Sequence, residues 1–298
     1  MEIKNVTVFG SGVLGGQIAF QTAFHKFNVT LYDVKLEFLE RAKNKFYELG
    51  KIYQQDLGAT EEATQAAIQR LSYSTDLATA VKDADLTIEA IPENLQIKKD
   101  FYLQLGKIAL PKTIFATNSS TLLPSQFAQE TGRPDRFLAL HFANQIWKHN
   151  IAEVMGHPNT DPVIFNTVVE FARNIGMVTL SIYKEQPGYI LNSLLVPFLI
   201  AALDLWNNGV ADLETIDKTW MITSDVKKGP FGRMDVVGIN TVYNIVKMKA
   251  DATQNENLRK LADKLKENFI AKNKIGVSTG EGFYKYPNPA FQQADFLK

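Results

Sequence analysis

Proton transfer near neutral pH falls most readily to histidine, and the chain has four: His25, His141, His149 and His157. His25 ends the first helical pattern, and His149 and His157 sit among polar loop residues, so these three are expected on the surface. His141 is placed differently. It closes the apolar run Phe137-Leu138-Ala139-Leu140, which reads as a strand, and ligands approach open α/β sheets at the carboxyl ends of their strands. Further on, Glu153 interrupts a second apolar run, Ile151-Ala152-Glu153-Val154-Met155. An acid inside such a strand either has a partner or faces solvent. A His–Glu pair would meet that need, orient the imidazole and stabilise it when protonated, which is the equipment of an acid/base catalyst.

The second chemical feature is the loop Gly10-Ser11-Gly12-Val13-Leu14-Gly15. It follows the apolar strand Ile3–Phe9, opens the helix Val13–His25, and precedes a strand, Val29–Tyr32, that ends on Asp33. That context makes it a dinucleotide cradle. Gly10 permits the tight turn, Gly12 lets the backbone approach a pyrophosphate, and Gly15 lets helix and strand pack closely. The phosphates would lie on the free N–H groups of the helix amino terminus, together with Val13 and Leu14. Asp33 accepts from both ribose hydroxyls and repels a 2′-phosphate, so NAD is expected over NADP, although Lys35 weakens that exclusion slightly. A Rossmann-like domain binding FAD, another nucleotide or none fits the same loop. The competing phosphate motif GxxxxGK[ST] is absent.

These residues need a parallel sheet to hold them. Apolar runs at Leu86–Ala90, Thr113–Thr117, Phe137–His141, Ile151–Met155 and Val178–Ile182 alternate with helical patterns, with Ser72–Ser74 a possible short strand. Lys35 to Arg70 reads as a helical pair broken near Asp56-Leu57-Gly58, and Pro162–Ile175 as a helix. After Pro187-Gly188 strand patterns vanish and helices follow at 189–208, 212–222, 239–250 and 257–273, ahead of an aromatic tail that packs on them. The expected architecture is α/β: a Rossmann-type parallel-sheet domain over 1–186, then an all-α domain over 187–298 for substrate and dimerisation.

Composition bounds the partners. Lysine plus arginine equals aspartate plus glutamate at 32 each, which gives no electrostatic reason to bind nucleic acid or an anionic membrane. Cysteine is absent, which excludes disulfides, thiolate metal sites and cysteine nucleophiles, and fits a reducing, cytoplasmic setting; no metal is expected. The amino terminus runs into a strand pattern with no signal-peptide apolar region. The apolar stretch Tyr189–Trp206 is interrupted by Asn192, Ser193, Pro197 and Asp204, so it is expected as a soluble helix buried on most sides, within a helical domain or a subunit interface.

Several further stretches make a specific set in this order: Glu89-Ala90-Ile91-Pro92-Glu93, Thr117-Asn118-Ser119-Ser120, His141-Phe142-Ala143-Asn144, Pro187-Gly188-Tyr189-Ile190-Leu191-Asn192 and Gly229-Pro230-Phe231. With the glycine loop, Asp33 and Glu153, they make the chain resemble the 3-hydroxyacyl-CoA dehydrogenase family over essentially its whole length. The resemblance implies that His141 is the general acid/base and Glu153 its orienting partner. It implies that Ser120 bonds the reacting oxygen and that Asn192 reaches in from the helical domain to position substrate. Glu93, Lys98, Asn118 and Asn144 fall near the cofactor by the same resemblance, and a homodimer through the helical domain and a place in fatty acid metabolism are implied. Plainer roles fit some of these residues: Asn118-Ser119-Ser120 as the cap of a helix near Pro124, Asn192 as a partner for polar backbone.

The substrate is left open between two classes. The family default is a 3-hydroxyacyl-CoA. However, the helical pair over 35–71 carries six basic residues and six acidic ones, so no net positive patch awaits CoA phosphates. Ala143–Trp147 and Thr117–Pro124 look similar to a bacterial diketoreductase of this family, which implies a small diketo ester or keto acid instead. NADH binding without turnover, as in a lens crystallin of the family, is a third reading. Gly188 stands where β-hydroxyacid dehydrogenases keep a lysine, which argues against that group.

Overall fold

Runs such as Val6-Thr7-Val8-Phe9 and Leu86-Thr87-Ile88 are rich in β-branched residues and buried on both faces, the setting of a parallel sheet covered by helices. A computed structural model describes residues 2–298; Met1, the first residue of the expected nucleotide domain, lies outside them. The strands are β1 (Asn5–Phe9), β2 (Asn28–Tyr32), β3 (Leu71–Ser74), β4 (Leu86–Glu89), β5 (Ile114–Thr117), β6 (Phe137–Phe142), β7 (Ile151–Met155) and β8 (Val178–Ile182). They form one eight-stranded sheet in the order β3-β2-β1-β4-β5-β6-β7-β8. All neighbours pair parallel except β6 with β7. The order reverses between β1 and β4, which opens the crevice where such sheets bind ligands.

The helices of this half are α1 (Val13–Phe24), α2 (Leu36–Leu57), α3 (Glu61–Gln69), α4 (Leu77–Val81), α5 (Leu95–Ile108) and α6 (Pro162–Asn174). The expected helical pair is α2 and α3. Gly58 ends α2 in the left-handed region at φ +67, and the Thr60 hydroxyl caps α3 by accepting from the Ala63 N–H. α4 and α5 fall among the helical patterns expected between the strands, although no bounds were expected for them. The helix anticipated near Pro124 is only a three-residue 3-10 turn, Pro124–Gln126, because Pro124 opens it and Phe127 leaves helical geometry.

The chain divides into two units, the first ending at Ile190 and the second running Leu191–Lys298. The second unit is helical: α7 (Tyr189–Asn207, which begins in the first unit), α8 (Leu213–Ser224), α9 (Pro230–Val237), α10 (Ile239–Thr253) and α11 (Glu256–Asn268). Two buried aspartates hold its aromatic tail. Asp217 accepts from the Phe231 and Gly232 N–H groups at the start of α9 and from the Tyr284 hydroxyl. Asp235 accepts from the Phe283 and Tyr284 N–H groups and the Tyr286 hydroxyl. Burial pushes the Asp235 carboxyl up to about 6, against those bonds.

α7 runs unbroken through Pro197, and by length and composition it is apolar enough to cross a membrane. Within one chain 28% of its most apolar window is buried and Leu194 is 70% exposed, so the burial expected on most sides is not met inside the helical domain alone. The polar residues that break the apolar run do not break the helix, since its backbone bonds are local.

Candidate active site

Register makes the central pair. β6 and β7 are antiparallel with His141 directly opposite Glu153, so both side chains leave the same face of the sheet. His141 Nδ1 lies 2.9 Å from Glu153 Oε2, and both residues are buried. On the other side of the imidazole, Nε2 lies 3.1 Å from the Ser120 hydroxyl, just beyond β5. The second carboxylate oxygen of Glu153 accepts from the Ile190 N–H at 2.9 Å. Ser120, His141 and Glu153 thus stand in line, with Nε2 facing the half-buried end. Asn118 ties the two strands together there, its side-chain oxygen accepting from the Phe142 N–H at 2.9 Å. It caps no helix.

A second carboxylate shapes the loop that carries Ser120. Glu93 Oε1 accepts from the Ser119 hydroxyl (2.6 Å), the Ser120 N–H (3.0 Å), and the Thr121 N–H (2.7 Å) and hydroxyl (2.8 Å). Burial pushes the Glu93 carboxyl up, but the Ser119 hydroxyl, the Lys98 ammonium and the Thr121 donors outweigh it and hold it below the usual carboxylate range. Lys98 is buried on α5, its ammonium 2.5 Å from Glu89 Oε1 and 3.5 Å from Glu93 Oε2. Glu89 in turn accepts from Thr117 and Tyr102. The expected cofactor residues Glu93 and Lys98 therefore belong to one ionic network, in which Lys98 and Glu89 are buried and Glu93 is partly exposed. Glu89 was missed as a site residue, although an acid inside the strand Leu86–Ala90 is itself a sign of a partner.

The glycine loop fits a dinucleotide. Gly10 lies at φ +96, and a Cβ there would collide with the Ala90 carbonyl, while one on Gly15 would strike the Gly10 carbonyl. A Cβ on Gly12 would project into open space, the cradle through which a pyrophosphate reaches the backbone. No side chain caps α1 and no acid sits in its first turn, so its N–H groups remain for an anion. Asp33 Oδ2 accepts from the Ser11 N–H (2.7 Å) and hydroxyl (2.6 Å), and Oδ1 from the Val34 N–H (2.8 Å). A carboxylate offers about four acceptor positions, so one is left for a ribose hydroxyl, and the Ser11 hydroxyl can turn to release another. Asp33→Ala is expected to lower kcat/KM with NAD roughly 10- to 100-fold, the loss of a hydrogen bond to a charged group, while NADP loses little. Parallel steady-state assays with both cofactors measure this, and an unchanged ratio would count against the ribose contact.

The loop after β6 is pinned from outside. The Gln145 N–H donates to Gln17 on α1 at 2.9 Å, and the Trp147 indole N–H donates to Asp56 on α2 at 2.8 Å. Asn144 is exposed, with its carbonyl 3.1 Å from His149 Nδ1. His149 is exposed and His25 half-buried, but His157, expected at the surface, is buried. Its Nε2 lies 3.0 Å from the Pro134 carbonyl, a backbone partner that local sequence does not reveal. Asn192 falls in the second unit, on α7. A cavity of about 850 Å³ lined by Lys4, His25, Asn28 and Glu170 opens at the amino ends of β1 and β2, the opposite end from His141.

Residues 5–186 match the family described as 3-hydroxyacyl-CoA dehydrogenase, NAD binding domain, and residues 188–286 match 3-hydroxyacyl-CoA dehydrogenase, C-terminal domain. The chain belongs to the 3-hydroxyacyl-CoA dehydrogenase family. It is therefore an NAD-dependent oxidoreductase acting on a CH–OH group. It is 36% identical to the human protein named hydroxyacyl-coenzyme A dehydrogenase, mitochondrial, over 95% of this chain and 91% of that one. It is 33% identical to a probable 3-hydroxybutyryl-CoA dehydrogenase of Deinococcus radiodurans, over 94% and 99%. Among solved structures, a diketoreductase described for dual catalysis of dicarbonyl compounds shares 55% identity, with a TM-score of 0.91 over 96% of this chain and all of that one.

Proposed function

We propose that the chain interconverts a 3-hydroxy and a 3-oxo group with His141 as the proton carrier, and that its substrate is a small dicarbonyl compound rather than an acyl-CoA. The observation that carries the chemistry is the line from the Ser120 hydroxyl through the His141 imidazole to the Glu153 carboxylate, at 3.1 and 2.9 Å. NAD, when bound, supplies the hydride acceptor, and NADH the hydride. In oxidation Nε2 takes the substrate hydroxyl proton; in reduction it returns one to the carbonyl oxygen. Ser120 donates to that oxygen, and Glu153 keeps the proton of the imidazole on Nδ1 and offsets the charge of the imidazolium.

Three observations support the small substrate. The 55% identity to the diketoreductase exceeds the 33–36% shared with the hydroxyacyl-CoA and hydroxybutyryl-CoA dehydrogenases named above. The α2–α3 pair has no excess of positive charge for CoA phosphates. Trp147 and Asp56 bridge the loop after β6 to the end of α2, on the side of that pair. The acyl-CoA reading keeps the support of the family itself. NADH oxidation measured side by side with acetoacetyl-CoA, free acetoacetate and a 3,5-diketo ester separates them. A kcat/KM for acetoacetyl-CoA above that for the diketo ester would overturn the small-substrate reading. The exposed apolar residues of the helical unit, among them Leu194, Trp220 and Ile222, support a homodimer through that unit, and the lack of cysteine supports a cytoplasmic setting.

A further inference from the structure

Tyr189 has no part in the chemistry described so far, yet its backbone is unusual. It lies at φ +56 at the head of α7, in the left-handed region that a bulky side chain rarely adopts. Such geometry persists where the surroundings over-determine it. Here the surroundings are the catalytic pair. The Tyr189 ring lies almost parallel to the His141 imidazole, with centroids 4.4 Å apart and planes 16° apart. Its hydroxyl donates to the Ser119 carbonyl at 2.7 Å, so the ring is fixed at its far end to the loop that carries Ser120. Burial, with the Glu93, Glu153 and Glu89 carboxylates around it, pushes the phenol well up, and the donor stays protonated. The next residue, Ile190, gives its N–H to Glu153.

We propose that Tyr189 is a positioning residue for proton transfer, its ring fixing the plane of the His141 imidazole so that Nε2 stays aimed at Ser120 and the substrate oxygen. Glu153 bonds the imidazole at Nδ1 and Ser120 at Nε2, and a ring held only by bonds in its own plane can still rock about the line between them. The stack removes the rocking, and the neighbouring Ile190 N–H holds the carboxylate that makes the bond. The left-handed turn at Tyr189 is what brings a ring and an N–H from adjacent residues onto both members of the pair. This inference rests on His141 being the acid/base proposed above.

The test compares Tyr189→Phe and Tyr189→Leu with His141→Asn. Tyr189→Leu is expected to lower kcat roughly 10- to 100-fold, the cost of a misaimed reacting group, with KM and NADH affinity nearly unchanged. Tyr189→Phe keeps the stack and should recover most of that loss. In the wild-type protein with ring-labelled histidine, the stacked ring should shift the His141 proton resonances upfield of those of exposed His149. The same shift should survive in the Phe variant and vanish in the Leu variant. Wild-type kcat in Tyr189→Leu, or an unshifted His141 in the wild type, overturns the inference. Should Tyr189→Leu not fold, the wild-type spectrum and the Phe variant still decide. If His141→Asn keeps its turnover, the acid/base reading fails instead, and the spectrum separately reports whether Tyr189 fixes the ring.

Discussion

Replacing His141 with Asn is expected to lower turnover roughly 10²–10⁴-fold while NADH affinity stays nearly intact. Asparagine keeps a polar side chain of similar reach at the end of β6, but its amide cannot take up and return a proton near neutral pH. Glu153, left without an imidazole, retains the Ile190 N–H, so the local fold has a partner to hold it. The dinucleotide loop and Asp33 lie at the ends of β1 and β2 and share no hydrogen bond with His141. Their contribution to cofactor binding should therefore survive. Steady-state assays with the best substrate, beside a fluorescence titration of NADH, measure both halves of the expectation. Turnover within tenfold of wild type would remove His141 from the proton path.

The cofactor loop was legible in the sequence because backbone geometry dictates it. Only a residue without a Cβ can sit beside the Ala90 carbonyl at φ +96 or against the Gly10 carbonyl, so the spacing of Gly10, Gly12 and Gly15 carries the structure with it. His141 and Glu153 were legible as candidates, since each is a polar residue in an apolar run. Their pairing was expected as well, but the geometry that makes it could not be read from local pattern. It depends on the antiparallel register of β6 and β7, and a slip of one residue would send Glu153 to the other face. The buried network was harder still. Lys98 lies on α5, whose buried positions Lys98, Tyr102 and Leu105 repeat with helical spacing, but a lysine in such a stripe reads as a break in it. Trp147 and Asp56 are 91 residues apart, and Tyr189 owes its place to a backbone angle that residue type disfavours. Local patterns cannot encode either.

That network supplies the second large effect, which falls on stability. Lys98→Met is expected to destabilise the first unit by about 3–5 kcal/mol, the cost of stranding one member of a buried ion pair. The Lys98 side chain is 1% exposed and that of Glu89 0%, so water cannot replace the lost cation without opening the core between β4 and α5. Glu89 would keep Thr117, Tyr102 and the Ile91 N–H as donors, which satisfies its lone pairs but not its charge. Lys112 with Asp85 makes the contrast: the same 2.5 Å separation, but the lysine is 50% exposed, so Lys112→Met should cost no more than about 1 kcal/mol. Equilibrium urea unfolding reads both, followed through Trp147 in a chain whose Trp206 and Trp220 are Phe, since Trp147 is the tryptophan of the first unit. The second substitution Glu89→Gln should restore much of what Lys98→Met loses, because it removes the stranded charge while keeping an acceptor for Thr117. If the double variant is as unstable as the two single losses added together, the cost lies in packing around the lysine stem and not in the unpaired carboxylate.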